Sequence, residues 1–324
     1  MLIPLEDIER ARVRIAHTIV RTPLVRLYLD DAPAEIWLKL ESLQPIGSFK
    51  LRGAANAILS APRAALAEGV VTTSTGNMAQ GVAWMARALG VPATIVVPDN
   101  ASAAKLAAVE RLGGRIVRVP WETWWAAVEA DRDRALAELE GVDGYFVHPV
   151  RDPPVMAGNG TIGLELAEQL DDIDSVLIPW GGGGLTTGVA SALKAVSPDT
   201  KVYVCEPDTG APLAAAIAND GNPTPVDFTP SFVDGAGSGS LLSDMWELAR
   251  PLVTDAFPIS LEAVAATVKL LAERGRIVAE GAAALPVAAA LAGAAGGGRV
   301  VCIVSGGNLD PARLAEILVG KVPD

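Results

Sequence analysis

Residues 45–54 read PIGSFKLRGA, and the interpretation of the whole chain depends on them. Residues 36–41 before this stretch alternate in a pattern typical of a strand, and residues 54–59 have the composition of a helix. The proline and glycine inside the stretch favour a tight turn. Lys50 is therefore expected at a strand-to-helix junction, where the helix dipole and partial burial favour a neutral amine. A neutral amine can form a Schiff base, although most lysines are ordinary surface residues.

The composition of the chain restricts its class. The chain has 324 residues, of which half are hydrophobic and a fifth charged, so we expect a globular protein with one large or two smaller domains. A net charge of −12 argues against nucleic acid or an anionic membrane as a partner. Cys205 and Cys302 lie in separate apolar runs, which predicts free thiols in a reducing cytoplasm. Residues 1–14 carry charges throughout and lack the core of a signal peptide.

Strand and helix patterns alternate along most of the chain. This alternation predicts an α/β fold with parallel sheets and right-handed crossovers. Strands are predicted at residues 36–41, 70–73, 93–98, 115–119, 144–147, 175–179, 201–205 and 299–304. Helices are predicted at residues 5–20, 54–59, 78–89, 103–112, 122–139, 161–169, 185–194, 211–218, 241–248, 261–274, 282–291 and 311–318. We expect two domains, a large one at 1–51 and 148–324 and a small one at 52–147.

Three predicted strands end in loops of unusual composition. The loops are STGN at residues 74–77, GGGG at 181–184 and SGGN at 305–308. Open parallel sheets bind ligands beyond the carboxyl ends of their strands, so these loops are the candidate binding elements. Four glycines before a helix present backbone N–H groups without side-chain obstruction, which suits a phosphate. The STGN loop suits a carboxylate, and an ordinary helix N-cap explains it equally well.

Other kinds of site find less support in the sequence. His17 and His148 lack partners at metal-ligand spacing, and no Gly-x-Ser-x-Gly elbow is present. The glycine loop lacks the lysine of a Walker loop and the third spaced glycine of a dinucleotide fingerprint. An NAD-dependent oxidoreductase stays an alternative, because Glu206 lies about 20 positions after the glycines, where a ribose contact is required. A non-catalytic ligand-binding protein is a third possibility.

Taken together and in order, these motifs resemble those of the fold-type II pyridoxal-phosphate enzymes, specifically the threonine/serine dehydratase and serine racemase group. The resemblance covers nearly the whole chain. It implies a tryptophan synthase β-like fold with two three-layer domains built on parallel sheets, pyridoxal 5'-phosphate as cofactor, and a homodimer. The motifs that carry it are residues 47–53, 74–81, 148–149, 157–162, 181–185, 206–207, 234–235, 280–282 and 305–308.

The resemblance also implies roles for individual residues. Lys50 would be the Schiff-base lysine and the base at the substrate Cα, and Thr75 a second catalytic residue. Asn77 would bond the phenolic oxygen of the cofactor, and Ser305 its pyridine nitrogen. The implied cofactor-binding residues are Phe49, Lys50, Asn77, Gly181, Gly182, Gly183, Gly184, Leu185, Gly235, Glu280, Ser305 and Gly306. The implied substrate-binding residues are Ser74, Thr75, Gly76, Asn77 and Gln80.

The implied reaction is that of an ammonia-lyase, which converts L-threonine, L-serine or a related 3-hydroxy amino acid to a 2-oxo acid and ammonia. Serine racemase and 3-hydroxyaspartate dehydratase are alternatives within the same group. Thr75 keeps them open, because it supplies a hydroxyl where plain dehydratases tend to have alanine.

The sequence departs from the pattern of the group at several positions. Met78, Asn159 and Trp180 replace residues common in the group, and we expect them to reshape the substrate end of the pocket. Metal-activated members have an aspartate where this chain has Pro212, after the glutamate at Glu206. No divalent ion is therefore expected at that site.

Overall fold

The computed structural model describes residues 2–101 and 103–323. The chain divides into two compact units. The larger unit comprises Met1–Leu2, Arg21–Phe49 and Ile162–Asp324, and the smaller unit comprises Ile3–Val20 and Lys50–Thr161. The predicted domains, 1–51 with 148–324 and 52–147, have other boundaries, and their end points at 1 and 324 lie outside the described residues. That division stays a prediction.

Strands and helices alternate as the sequence pattern predicts. The strands are β1 (Leu24–Arg26), β2 (Glu35–Leu40), β3 (Val70–Thr73), β4 (Ala93–Pro98), β5 (Arg115–Val119), β6 (Tyr145–Phe146), β7 (Ser175–Pro179), β8 (Lys201–Pro207), β9 (Asp255–Ile259) and β10 (Arg299–Val304). The α-helices are α1 (Leu5–Ile15), α2 (Lys50–Ser60), α3 (Asn77–Leu89), α4 (Ala103–Arg111), α5 (Trp121–Glu129), α6 (Arg132–Ala135), α7 (Pro153–Gln169), α8 (Gly184–Val196), α9 (Pro212–Ala218), α10 (Ser243–Ala249), α11 (Leu261–Leu270), α12 (Gly281–Leu291) and α13 (Pro311–Leu318).

The larger unit is built on a six-stranded sheet in the order β1-β2-β10-β7-β8-β9. β1 pairs antiparallel with β2, and the other pairs are parallel. Side chains alternate along β10: Val301 and Ile303 join one core with residues of α8, whereas Val300 and Cys302 join another with residues of α12. Helices therefore cover both faces of this sheet, which gives three layers.

The smaller unit is built on a four-stranded parallel sheet in the order β5-β4-β3-β6. Val71, Val96 and Phe146 share a core with Ala127 of α5 and Ala135 of α6. Helix α3 also packs on β3 and β4. Parallel sheets in both units confirm the predicted α/β fold class.

The two edge strands of the larger sheet are absent from the sequence-based prediction. β1 has only three residues, too few for a periodic signal. β9 contains Pro258, which argues against a central strand but is tolerated at the edge of a sheet, where β9 lies. The antiparallel β1 makes the larger sheet mixed rather than purely parallel.

Several predicted helices have other bounds in the structure. The helices predicted at 5–20, 54–59 and 261–274 are Leu5–Ile15, Lys50–Ser60 and Leu261–Leu270. The single helix predicted at 122–139 is two helices, α5 and α6, because the chain turns at Ala130 and Asp131 caps the backbone N–H of Arg134. Helix α7 begins at Pro153 instead of residue 161. The glycines in its first half resemble a loop in sequence, but close packing keeps them helical.

The stretch most easily mistaken for a membrane span is α12, which is rich in alanine and glycine. Its residues from Gly281 to Ala290 are buried in the larger unit, and Pro286 lies inside the helix. Across residues 2–101 and 103–323, no helix combines the length and hydrophobicity that crossing a bilayer requires.

Candidate active site

In the larger unit, the chain just before Lys50 lies against the loop that follows β10. The backbone N–H of Phe49 donates to the carbonyl of Ser305 at 3.0 Å, and Ser48 forms an antiparallel bridge with Gly306. Gly47 adopts a φ of +71°, and a Cβ there would lie 2.7 Å from Oδ1 of Asn308. The turn therefore requires glycine, and the structure brings Phe49, Ser305 and Gly306 together.

Close contacts extend from Gly306 to three other predicted cofactor residues of the larger unit. A Cβ on Gly306 would lie 2.5 Å from Oε1 of Glu280, whose backbone N–H donates to the carbonyl of Gly306 at 3.0 Å. A Cβ on Gly235 would lie 3.7 Å from the same Oε1, and one on Gly181 would lie 3.1 Å from the carbonyl of Gly235. These predicted residues thus form one continuous group within the unit.

The four-glycine loop connects β7 to the N-terminus of α8. Gly183 precedes the helix with a φ of +91°, and no side chain caps this end. The first N–H groups of any α-helix lack intrahelical acceptors and carry a partial positive charge. Gly181 and Gly182 are only partly buried, so their backbone is accessible. Backbone N–H groups at the start of a helix suit a phosphate group.

Trp180 lies beneath this loop, in the core. Its side chain is 1% exposed and packs with Val204, Leu213 and Trp246. A Cβ on Gly183 would lie 2.5 Å from the tryptophan ring. Its ring therefore requires glycine at the cap of α8, and the expectation that Trp180 reshapes the substrate end stays a prediction.

In the smaller unit, Lys50 is the first residue of α2, as the turn residues before it predict. The side chain is partly buried, and its Nζ donates to the carbonyl of Pro149 at 2.9 Å. The N-terminus of a helix disfavours positive charge, so this location lowers the cost of a neutral amine. Lys50 is accessible and directed towards the turn at residues 148–151.

The side chain of His148 stabilises that turn through hydrogen bonds. Its Nδ1 accepts hydrogen bonds from the backbone N–H groups of Val150 at 3.0 Å and Arg151 at 2.9 Å. Since Nδ1 accepts, the ring proton is on Nε2, which donates to the carbonyl of Val128 at 3.0 Å. His148 therefore fixes the loop whose carbonyl binds Lys50. The sequence contains the His-Pro pair but offers no signal of this role.

The motifs at residues 50–54 and 157–162 are used mainly to pack α2 on α7. A Cβ on Gly53 would lie 2.9 Å from Oδ1 of Asn159, and one on Gly158 would overlap the backbone of Arg52. Arg52 is fully buried and donates to Oγ1 of Thr161 at 3.0 Å. Asn159, 1% exposed, thus belongs to a helix–helix contact, and the expectation that it shapes the substrate end stays a prediction.

The STGN loop connects β3 to α3. Ser74, Thr75, Gly76 and Asn77 are all partly exposed, and Gly76 caps α3 without a side-chain hydrogen bond. A Cβ on Gly76 would meet nothing within 4 Å. Open space therefore lies beside the first turn of α3, where N–H donors suit a carboxylate.

Two residues in the first turns of α3 differ in exposure. Gln80, on the next turn, is partly buried, whereas Met78 is 1% exposed and lies in the core of the smaller unit. The expectation that Met78 reshapes the substrate end of the pocket stays a prediction.

Glu206, at the end of β8, caps a helix. Its two carboxylate oxygens accept from the backbone N–H groups of Leu213 at 3.1 Å and Ala214 at 2.9 Å. Burial raises the pKa of this carboxyl to about 7, against which the two backbone donors act only in part. The carboxylate oxygens are thus engaged by the first turn of α9, which begins with Pro212.

Comparison with known proteins identifies the family. The family of pyridoxal-phosphate dependent enzymes matches residues 15–306. This chain belongs to that family. Similar curated proteins include the L-threonine ammonia-lyases of Geobacter sulfurreducens, 36% identical over 98% of this chain and 78% of that protein, and of Thermotoga maritima, 37% identical over the same shares. The catabolic L-threonine dehydratase of Escherichia coli K12 is 34% identical over 97% of this chain and 96% of that protein.

Solved structures of the family share the fold. Maize serine racemase superposes with a TM-score of 0.85 and 32% identity, covering 97% of this chain and 96% of that one. The T.th. threonine deaminase superposes with a TM-score of 0.84 and 35% identity, covering 94% of this chain and 98% of that one. The protein is a fold-type II, pyridoxal-phosphate-dependent lyase. Membership in this family supports pyridoxal phosphate rather than NAD as the cofactor.

Proposed function

We propose that this enzyme is an ammonia-lyase that converts L-threonine, L-serine or a related 3-hydroxy amino acid to a 2-oxo acid and ammonia. The observation that carries the proposal is the similarity to L-threonine ammonia-lyases, 36% and 37% identical over 98% of the chain. Because that similarity extends over both units, it includes the lysine of the smaller unit and the glycine loop of the larger one.

The residues of the larger unit are proposed to hold the cofactor. The glycine loop at residues 181–184 and Leu185 would bind its phosphate through backbone N–H groups, and Ser305 would bond its ring nitrogen. Ser305 is neutral and so leaves that nitrogen without a charged partner. When bound, pyridoxal phosphate supplies an electron sink for the bonds at the substrate Cα. The remaining residues proposed to line the group are Phe49, Gly235, Glu280 and Gly306.

The residues of the smaller unit are proposed to hold the substrate and move its proton. Lys50 would carry the cofactor, and its Nζ, once freed, would take the proton from Cα. The carbonyl of Pro149, already within 2.9 Å, would orient the amine. Asn77 would bond the phenolic oxygen of the cofactor. The substrate carboxylate would be bound by Ser74, Thr75, Gly76, Asn77 and Gln80.

The test replaces Lys50 and measures both attachment and turnover. Wild-type protein should show visible absorption that borohydride bleaches, peptide mapping should place the reduced adduct on Lys50, and L-threonine or L-serine should release a 2-oxo acid. K50A should lose the adduct and at least about 10³-fold in kcat, since the covalent and proton-transfer roles disappear together. K201A, at an exposed lysine, is the matched control. An adduct on another lysine, or no 2-oxo acid from any 3-hydroxy amino acid, contradicts the proposal.

A second candidate is a serine racemase or 3-hydroxyaspartate dehydratase. The partly exposed hydroxyl of Thr75 favours it, as does the TM-score of 0.85 with maize serine racemase. If Thr75 delivers a proton, T75A should abolish racemisation of L-serine, measured by chiral chromatography, while dehydration of the L-substrate falls by no more than about threefold. Equal loss of both activities would exclude that role for Thr75.

We further propose a cytoplasmic homodimer without nucleic-acid or membrane partners. Free, buried Cys205 and Cys302 fit a reducing compartment. Exposed apolar side chains such as Val13, Tyr28 and Val319, each more than 70% exposed, are available to a second copy. Light scattering of the purified protein measures the assembly.

A further inference from the structure

A group of polar side chains in the larger unit, most of them buried, is linked to the turn before Lys50. This buried polar network consists of Thr22, Lys39, Glu41, Gln44, Glu165 and Gln169. Lys39 and Glu41 are fully buried and Gln44 is 3% exposed. Burying charge costs free energy unless every partner is provided, so the arrangement calls for an explanation.

One part of the network provides hydrogen-bond acceptors for the buried ammonium group of Lys39. Its Nζ donates to the carbonyl of Thr22 at 2.8 Å, to Oε2 of Glu165 at 2.5 Å and to Oε1 of Gln169 at 2.8 Å. Nε2 of Gln169 donates to the same carbonyl of Thr22 at 2.9 Å. Three acceptors satisfy the ammonium fully, so this side holds β2 against α7.

The other side places a donor on each oxygen of Glu41. Oγ1 of Thr22 donates to Oε1 at 2.6 Å, and Nε2 of Gln44 donates to Oε2 at 3.2 Å. The backbone N–H of Gln44 also donates to the carbonyl of Glu41 at 3.2 Å. Gln44 is thus fixed to the end of β2 through both its backbone and its side chain.

Gln44 begins the turn that leads to Lys50. Its carbonyl accepts from the N–H of Gly47 at 2.7 Å, and the carbonyl of Gly47 accepts from the N–H of Gly307 at 2.9 Å. On the opposite side, Nδ2 of Asn308 donates to the carbonyl of Ile46 at 2.9 Å. Residues 44–49 are therefore held from β2 by Gln44 and from the loop after β10 by Asn308.

We infer that Gln44, anchored by buried Glu41, and Asn308 are positioning residues for Lys50. Neither is assigned a contact with cofactor or substrate, and both fix the backbone of residues 46–49, to which Lys50 is joined. Without these bonds the turn can shift while the sheet and the helices remain. Covalent chemistry at an amine is sensitive to displacements well below those that unfold a unit. The inference rests on the proposed role of Lys50 as the residue that carries the cofactor.

The network supplies a matched pair of variants. Q44M and Q169M both replace a glutamine of the same network with an apolar residue of similar length. Each removes bonds to buried partners, so each should lower the thermal midpoint of the cofactor-free protein by several degrees. Only Gln44 touches the turn. If the network is purely structural, Q44M and Q169M should affect cofactor capture at Lys50 equally. If Gln44 positions Lys50, Q44M should have the larger effect.

The experiment measures capture of pyridoxal phosphate at Lys50 in the cofactor-free full-length protein. Samples are reduced with borohydride at set times over a pH series, and the adduct is quantified by peptide mapping; kcat and KM for L-threonine or L-serine are measured in parallel. Q44M should slow capture at Lys50 about tenfold or more, shift its pH profile, and lower kcat with KM within about twofold. Q169M should stay within about twofold of wild type in capture and kcat.

Equal capture rates and pH profiles in Q44M and Q169M would overturn the inference. If Q44M does not fold, N308A tests the same turn from its exposed side and should slow capture at Lys50 at least about threefold with an unchanged thermal midpoint. Wild-type capture rates in N308A would also overturn it. Failure of the proposed function is distinguishable, because wild-type protein would then carry no adduct on Lys50.

Discussion

Both units contain glycines that belong to motifs of the family, but the two sets are needed for different structural reasons. In the larger unit, Gly181 and Gly182 leave an accessible backbone before an uncapped helix. In the smaller unit, Gly53 and Gly158 are buried where α2 meets α7. The first pair leaves backbone accessible at the proposed phosphate site, and the second leaves room for a neighbouring backbone. A motif shared with a family is therefore not evidence that its residues touch the ligand.

The largest expected effect comes from filling the helix contact of the smaller unit. In G158A the added methyl would overlap the carbonyl of Arg52 and lie 2.9 Å from Cα of Gly53, so α2 and α7 must separate. The free energy of unfolding should fall by about 4 kcal/mol, measured by urea denaturation. The expected effect is on stability, and binding of pyridoxal phosphate is measured beside it at a temperature where the variant is folded. Normal stability with impaired binding would reverse the comparison.

Gly183 both precedes the helix of the proposed phosphate site and packs against a buried ring. Its replacement should cost less stability than G158A. G183A places a side chain at a φ of +91° and 2.5 Å from the ring of Trp180, which should cost about 3 kcal/mol of unfolding free energy. It should also weaken cofactor binding about tenfold, measured by titration of the cofactor-free protein. Measured against W180L alone, W180L/G183A should recover part of the stability that G183A costs in wild type, because the contact with the ring is gone and only the positive φ remains. Full recovery would show that the ring alone requires glycine.

Glu206 extends the comparison from glycine to a carboxylate, since it too lies in a family motif and serves a neighbour. Burial raises its pKa from 4.5 to about 7, so the folded state favours the protonated acid. Tighter proton binding by the folded state stabilises the protein fully below the unfolded pKa. As pH rises through 7 this contribution is lost, and the free energy of unfolding falls by on the order of 2 kcal/mol.

E206Q should remove that pH dependence. Urea denaturation of both proteins at pH 5 and 8 measures it, and the stability of wild type relative to E206Q should be lower at pH 8. The opposite sign would mean that the donors from Leu213 and Ala214 outweigh burial.

Much of the fold follows from local signals in the chain. Apolar periodicity locates the inner strands, and turn residues place Lys50 at the start of α2, because these preferences depend on residues a few positions apart. The site is less accessible to such reasoning. Nothing near His148 indicates that Nδ1 accepts two backbone N–H groups, and nothing near Trp180 indicates that its ring lies under Gly183.

The sequence by itself determined the alternation of strands and helices, the loops at the strand ends and the family to which they belong. Only the tertiary structure decided that β1 runs antiparallel, that Gly53 and Gly158 serve packing, and that Gln44 is held by a buried carboxylate. The physical reason is range: backbone preference and periodicity are properties of neighbours in the chain. Steric fit and hydrogen-bond partners depend on residues that only folding brings together.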